Sequence, residues 1–114
     1  MSKLNPNAQK WVDALRSRKY QQARCNLRNG DSFCCLGVAC DISGIGTWTE
    51  YGYTINHYGS YKLLPNEVQD WLGLKDNAGS YGTTHLAWEN DYGKTFEQIA
   101  DVIEANADEL GVSA

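Results

Sequence analysis

Apolar residues recur at helical spacing in four places along the chain and alternate with polar ones in a fifth. Ala8, Trp11, Val12 and Leu15 fall at i, i+3, i+4 and i+7, which predicts a helix burying that face. Asn5-Pro6 precedes them, a good N-cap followed by a residue suited to the first helical position. This helix should fray near Ser17–Tyr20. Phe33, Leu36, Gly37 and Cys40 repeat the spacing, with Asp31 or Ser32 as the cap and Ser43-Gly44 as the stop. A buried strand competes for so short a run, and the spacing favours helix. Glycine inside a helix costs about 1 kcal/mol relative to alanine, so another element or a ligand should approach Gly37 closely. Val68, Trp71 and Leu72 mark a short helix opening at Leu64-Pro65 and stopping at Gly73. Thr95 and Gln98 form a capping box ahead of Phe96, Ile99, Ile103 and Leu110, and Glu97, Asp101, Glu104 and Asp108 make that helix's outer face.

Residues 45–64 are rich in tyrosine and glycine. Partial alternation through Trp48, Glu50, Tyr51, Tyr53 and Ile55 predicts one or two short strands, with turns at Gly52 and Gly59. Asn29-Gly30 marks another turn, and KDNAGSYGTT reads as a loop. The expected fold is α+β: a single helix-rich domain over residues 1–114 with a short antiparallel hairpin or small sheet in its middle.

Charge divides the chain unevenly. Residues 1–30 carry seven Lys/Arg against one acid, whereas residues 31–114 carry three Lys against thirteen acids. Backbone affinity for nucleic acid scales with the phosphates neutralised, so this acidic chain is a poor general nucleic-acid binder. One basic segment can still hold a small anion or dock an acidic partner. No apolar run approaches the roughly 18 residues of a membrane span, and the polar N-terminus shows no secretory signal. Cytoplasmic residence is therefore expected, with the four cysteines as thiols.

Those cysteines raise the question of chemistry. Cys35 and Cys40 would diverge by about 140° around a helix, and Cys25 and the two histidines lie apart from them in sequence, so zinc ligation is not expected. Cys34 and Cys35 would sit at a helix N-terminus, where the dipole favours a thiolate, yet no base stands in a recognisable signature near them. Buried small hydrophobes is the simpler account. Asp31 with Asp41, or Glu89 with Asp91, are pairs that chance supplies in an acidic chain. Phosphate-binding loops and hydrolase motifs are absent. The expectation is no catalytic residue, no metal and no cofactor.

Two polar segments remain as candidates for binding. SRKYQQARCNLR, residues 17–28, reads as a surface loop. Its Tyr20, Gln22, Arg24 and Arg28 suit phosphate and the polar edges of a base or ribose. The competing account is a solvated basic connector paired with the acidic helix 95–110. HLAWENDYGK, residues 85–94, offers Trp88, Asn90 and Asp91 to stack on and hydrogen-bond a flat polar ligand. Its competing account is an Asn-Asp turn with Trp88 in the core.

Several blocks in order resemble a family of small proteins from tailed-phage genomes. They are Trp11-x₃-Leu15-Arg16-Ser17, the Phe33-Cys34-Cys35-Leu36-Gly37-Val38-x-Cys40-Asp41 block, Leu64-Pro65-x₂-Val68-x₂-Trp71-Leu72-Gly73-Leu74, and Asn90-Asp91 leading to Thr95-Phe96-x₂-Ile99-Ala100-Asp101. Ala23 and Cys25 stand where that pattern has glycines. The resemblance implies a context, the cytoplasm of an infected bacterial host, and carries no activity to transfer. The function expected is a non-enzymatic accessory factor that counters host defence by sequestering a small anionic, nucleotide-like ligand. The alternative is an inhibitor that binds a host protein through its acidic last helix and aromatic middle. Homo-oligomerisation is compatible with either.

Overall fold

A computed structural model describes residues 3–114. Among these, six helices and eight short strands make an α+β domain, as the spacing predicted. Helix α1 spans Pro6–Arg16, capped by the Asn5 side chain, and buries Ala8, Trp11, Val12 and Leu15. Strands β1 (Gln21–Gln22), β2 (Arg28–Asn29) and β3 (Ser32–Phe33) follow, ordered β1-β3-β2. Parallel β1 and antiparallel β2 both pair with β3.

The β2–β3 turn corrects the expected start of the next helix. Gly30 takes φ 61 at the first central position of a two-residue hairpin loop, a conformation that suits glycine. Asp31 and Ser32 are thereby consumed by turn and strand, and Phe33 belongs to β3 rather than to a helix face. Helix α2 runs Cys35–Ser43, and its cap is the Cys34 sulfur, which accepts from the Gly37 N–H.

All residues from Cys35 to Cys40 are buried. A helix buried all round belongs at the centre of a fold, and α2 packs against α1 on one side and against α3 (Asn66–Leu72) and α4 (Leu86–Asp91) on others. The indole of Trp11 ties α1 to it by donating to the Cys35 carbonyl at 2.8 Å. Gly37 meets the expected close approach: a Cβ there would lie 1.7 Å from the Leu27 carbonyl oxygen. That same oxygen accepts from the Cys34 N–H at 3.1 Å, so the chain before β2 lies directly on α2.

The aromatic middle forms three antiparallel strands: β4 (Thr47–Thr49), β5 (Gly52–Ile55) and β6 (Tyr58–Ser60). Gly52 and Gly59 are not turns, as alternation suggested, but strand positions. A Cβ at either would strike a carbonyl oxygen of the neighbouring segment, at 2.1 and 2.0 Å. The expected loop after α3 contains a small hairpin, β7 (Ser80–Tyr81) with β8 (Thr84–His85). Thr95 and Gln98 do form their capping box, but the last helix breaks at Asn106 into α5 (Phe96–Ala105) and α6 (Ala107–Leu110). No helix among the described residues is long and apolar enough to cross a membrane.

Candidate functional site

The candidate residues separate into two places on the molecule. Gln22, Arg24, Asn90 and Asp91 converge where β1 meets α4. Asn90 is fully buried, the one buried polar residue among those described. Its Oδ1 accepts from Gln22 Nε2 at 2.8 Å and from the Cys35 N–H at 3.1 Å. Its Nδ2 donates to the Ala23 carbonyl at 2.8 Å and to Asp91 Oδ1 at 3.2 Å. An asparagine amide has two donors and two acceptor sites, and all four are filled. Gln22 also donates to the Lys94 carbonyl, Arg24 Nη1 to the Asn90 carbonyl, and Asp91 accepts from the Cys25 N–H. This network holds the chain before α2 against α4. Asn90 has no hydrogen-bonding position left for a ligand, because the fold occupies each one.

Residues 85–94 also differ from the expected Asn-Asp turn. Leu86–Asp91 of this segment form α4, capped by His85 Nδ1 accepting from the Trp88 N–H. The cap turns Trp88 outward: it is 48% exposed and stacks on Tyr92 with ring centroids 4.8 Å apart. Trp88 therefore lies outside the core. It borders a shallow cavity of about 300 Å³ shared with Cys25, Lys62, His85 and Asp91.

Tyr20 and Arg28 stand in the second place. Tyr20, Phe33, Trp48 and Tyr53 form a chain of edge-to-face aromatic contacts, with successive centroids 5.2, 5.6 and 4.9 Å apart. The Asp41 carboxylate anchors two of them, accepting from Tyr20 Oη at 2.6 Å and from Trp48 Nε1 at 3.0 Å. Burial, with the bond to Asp41, pushes the Tyr20 phenol up to about 12, so it remains a donor. Over these rings lies the Arg28 guanidinium, its central carbon 5.1 Å from the Phe33 centroid and 5.5 Å from that of Trp48. Each such contact contributes about 0.5–1 kcal/mol at an exposed site and restrains the position of the fork. Arg28 Nε donates to the Gly30 carbonyl at 2.7 Å. Its nearest carboxylate, Asp31, is 3.9 Å from Nη2 and fully exposed, which makes a weak ion pair. Among the described residues Nη1 has no protein partner.

Arg28 and Trp48 line the wall of an open cleft of about 390 Å³, between the β2 edge and the β4–β6 sheet. Gly30, Glu50, Ser60 and Tyr61 complete its mouth over a floor of buried Leu27. Tyr61 pins the two walls: its carbonyl accepts from the Leu27 N–H and its hydroxyl donates to the Glu50 carbonyl, both at 2.5 Å. Trp48, Glu50 and Tyr61 were not among the sequence candidates. The signal that could have found them is the density of aromatics beside polar residues in 45–64, more than one small sheet can bury.

The other sequence candidates for chemistry fall to burial or pairing. Burial pushes the Cys34 thiol up to about 11, and Cys35 and Cys40 also lie well above the ordinary thiol range, against the helix-dipole effect. Arg16, just before the basic loop, reaches Glu97, Asp101 and Glu104 on α5, one cation against three carboxylates, so the outer face stays acidic. Arg24 and Arg28 take no part in that pairing; their partners are the Asn90 carbonyl and the cleft. No cluster of metal-ligating side chains occurs among the described residues.

Fold and cleft together define a small α+β domain with a basic-aromatic cleft between two sheets. The chain belongs to the family described as a domain of unknown function, DUF8296, whose model matches residues 5–107. No curated protein and no solved structure matches it.

Proposed function

We propose that this protein binds a small anionic, nucleotide-like ligand in the cleft between β2 and the β4–β6 sheet. One observation carries this reading: the Arg28 guanidinium sits within about 5.5 Å of the Phe33 and Trp48 rings at the cleft wall, and among the described residues its Nη1 has no protein partner. A planar cation restrained beside aromatic rings suits a phosphate, and the rings of Trp48 and Tyr61 suit a base. The volume of about 390 Å³ lies in the range of small-ligand pockets. In the context suggested by the phage-like blocks, holding such a ligand amounts to sequestration: an accessory factor that removes a host defence signal in the infected cell. The second reading is host-protein binding through the acidic helix, whose Glu97, Asp101 and Glu104 share the single cation of Arg16 and stay exposed.

Thermal shift against linear and cyclic mononucleotides and ADP-ribose tests the reading. A ligand present at 100 times its Kd stabilises by about 2.7 kcal/mol, which is a rise of several degrees or more in Tm. The rise should vanish in Arg28→Ala. No shift with any of them at millimolar concentration overturns the reading.

A further inference from the structure

The cleft is not simply basic. Glu50, at the β4–β5 turn, also lines it. This turn is held tightly. Thr49 Oγ1 accepts from the Tyr51 N–H at 3.0 Å and is 2.8 Å from Thr54 Oγ1, while Tyr61 Oη donates to the Glu50 carbonyl. The backbone carrying the carboxylate is thus fixed, and among the described residues the carboxylate has neither a hydrogen bond nor an ion pair. A ligand that fills this cleft meets one cation, one carboxylate and the aromatic rings of Trp48 and Tyr61.

We propose that the ligand is a guanine nucleotide carrying a single phosphodiester charge, with Glu50 reading the base and Arg28 the phosphate. This rests on the binding reading given above. A carboxylate offers two acceptors side by side and no donor. The Watson–Crick edge of guanine presents N1–H and the 2-amino group side by side, so both acceptors are used. Adenine presents an acceptor at N1 beside its 6-amino donor, and cytosine an acceptor at N3 beside its 4-amino donor. Either would set a ring lone pair against the carboxylate. The phosphate follows from the count of charges. Arg28 is the one cation lining the cleft, and Glu50 stands in it with Asp31 3.9 Å from the guanidinium. One cation against two carboxylates leaves a single phosphodiester charge paired only at the guanidinium itself, and every further charge of a triphosphate would face carboxylates alone.

Calorimetric titration with 3′,5′-cyclic GMP, cyclic AMP, cyclic CMP and GTP separates the possibilities. Cyclic GMP should bind at least tenfold more tightly than cyclic AMP or cyclic CMP, as expected of a bidentate contact to a base edge. Glu50→Gln, at an exposed turn position whose only bond is through its carbonyl, should bring that ratio below about threefold while cyclic AMP still binds. Arg28→Ala should weaken all four. Equal binding of cyclic GMP and cyclic AMP, or an unchanged ratio in Glu50→Gln, overturns the guanine assignment and leaves the cleft as a nucleotide site. GTP binding more tightly than cyclic GMP overturns the charge assignment. Absence of binding by all four overturns this inference, and if the wider thermal-shift panel is also silent, the binding reading falls with it.

Discussion

Asn90→Ala should be among the most damaging polar-to-apolar changes in this chain, and the loss follows from its four partners. Two of them keep a second bond when the amide is removed: Gln22 Nε2 still donates to the Lys94 carbonyl, and Asp91 Oδ1 still accepts from Cys25. The other two do not. The Cys35 N–H and the Ala23 carbonyl have Asn90 as their hydrogen-bond partner, and both belong to buried residues. Leaving a buried backbone group unsatisfied costs about 1–3 kcal/mol, so the pair amounts to about 4 kcal/mol. A domain of this size is stable by about 5–15 kcal/mol, so the variant should still fold but only just. In urea denaturation followed by tryptophan fluorescence, the midpoint should fall by about 2–3 M at an unchanged slope. Asp91→Ala is the comparison: it orphans the exposed Cys25 N–H, which water can serve, and one Asn90 amide hydrogen, and should cost about 2 kcal/mol, half the loss in Asn90→Ala. A loss below about 1 kcal/mol in Asn90→Ala, or an equal loss in Asp91→Ala, would refute the reasoning.

Gly37→Ala should lower stability by about 3 kcal/mol or more, because its Cβ would sit 1.7 Å from a carbonyl oxygen that cannot swing away. Circular dichroism melts would show it, and a wild-type Tm would refute it. Stability should also fall on the alkaline side. Cys34 is raised from 9.0 to about 11 by burial, and Tyr20 and Tyr81 from 10.0 to about 12 by burial together with Asp41 and Glu89. The folded state keeps these protons where the unfolded chain has released them, so stability is full below about pH 9 and declines between about pH 9 and 12. Melts across that window check the slope, and Tyr20→Phe should flatten its upper part; a Tm constant from pH 9 to 11 would contradict it.

What could be read in the sequence was what local chemistry decides. Asn5-Pro6 and the Thr95–Gln98 box cap their helices from within four residues, and the stripe of Ala8, Trp11, Val12 and Leu15 needs no partner to be recognised. Strands of two residues are different. β2 and β3 are too short to show alternation, so Phe33 completed an apparent helix face although it lies in a strand, and Cys34 rather than Ser32 caps α2. The Asn90 network was closed to sequence reasoning for another reason: its bonds to Gln22, Ala23 and Cys35 span 55 to 68 positions. An asparagine next to an aspartate then looks like a turn, or like a ligand contact, because nothing local says that its amide is already used.

The Cys-rich block shows why core and site are not separable in so small a domain. Its interior, Cys35 to Cys40, is packing, and its thiols are held protonated by burial. Its two ends do something else. Phe33 lies under the Arg28 guanidinium, and Asp41 clamps Tyr20 and Trp48 against that ring. Gly37, midway between them, admits the Leu27 carbonyl, which places Arg28 one residue later over Phe33 and Trp48. The block therefore sets the position of the cation without contributing a cation, and its glycine and aspartate act on the cleft through Leu27 and Trp48. Asp41→Asn tests this division. An amide can still accept from one of its two partners, so the fold should persist, while a freed Trp48 indole should blunt ligand binding even though Asp41 does not line the cleft.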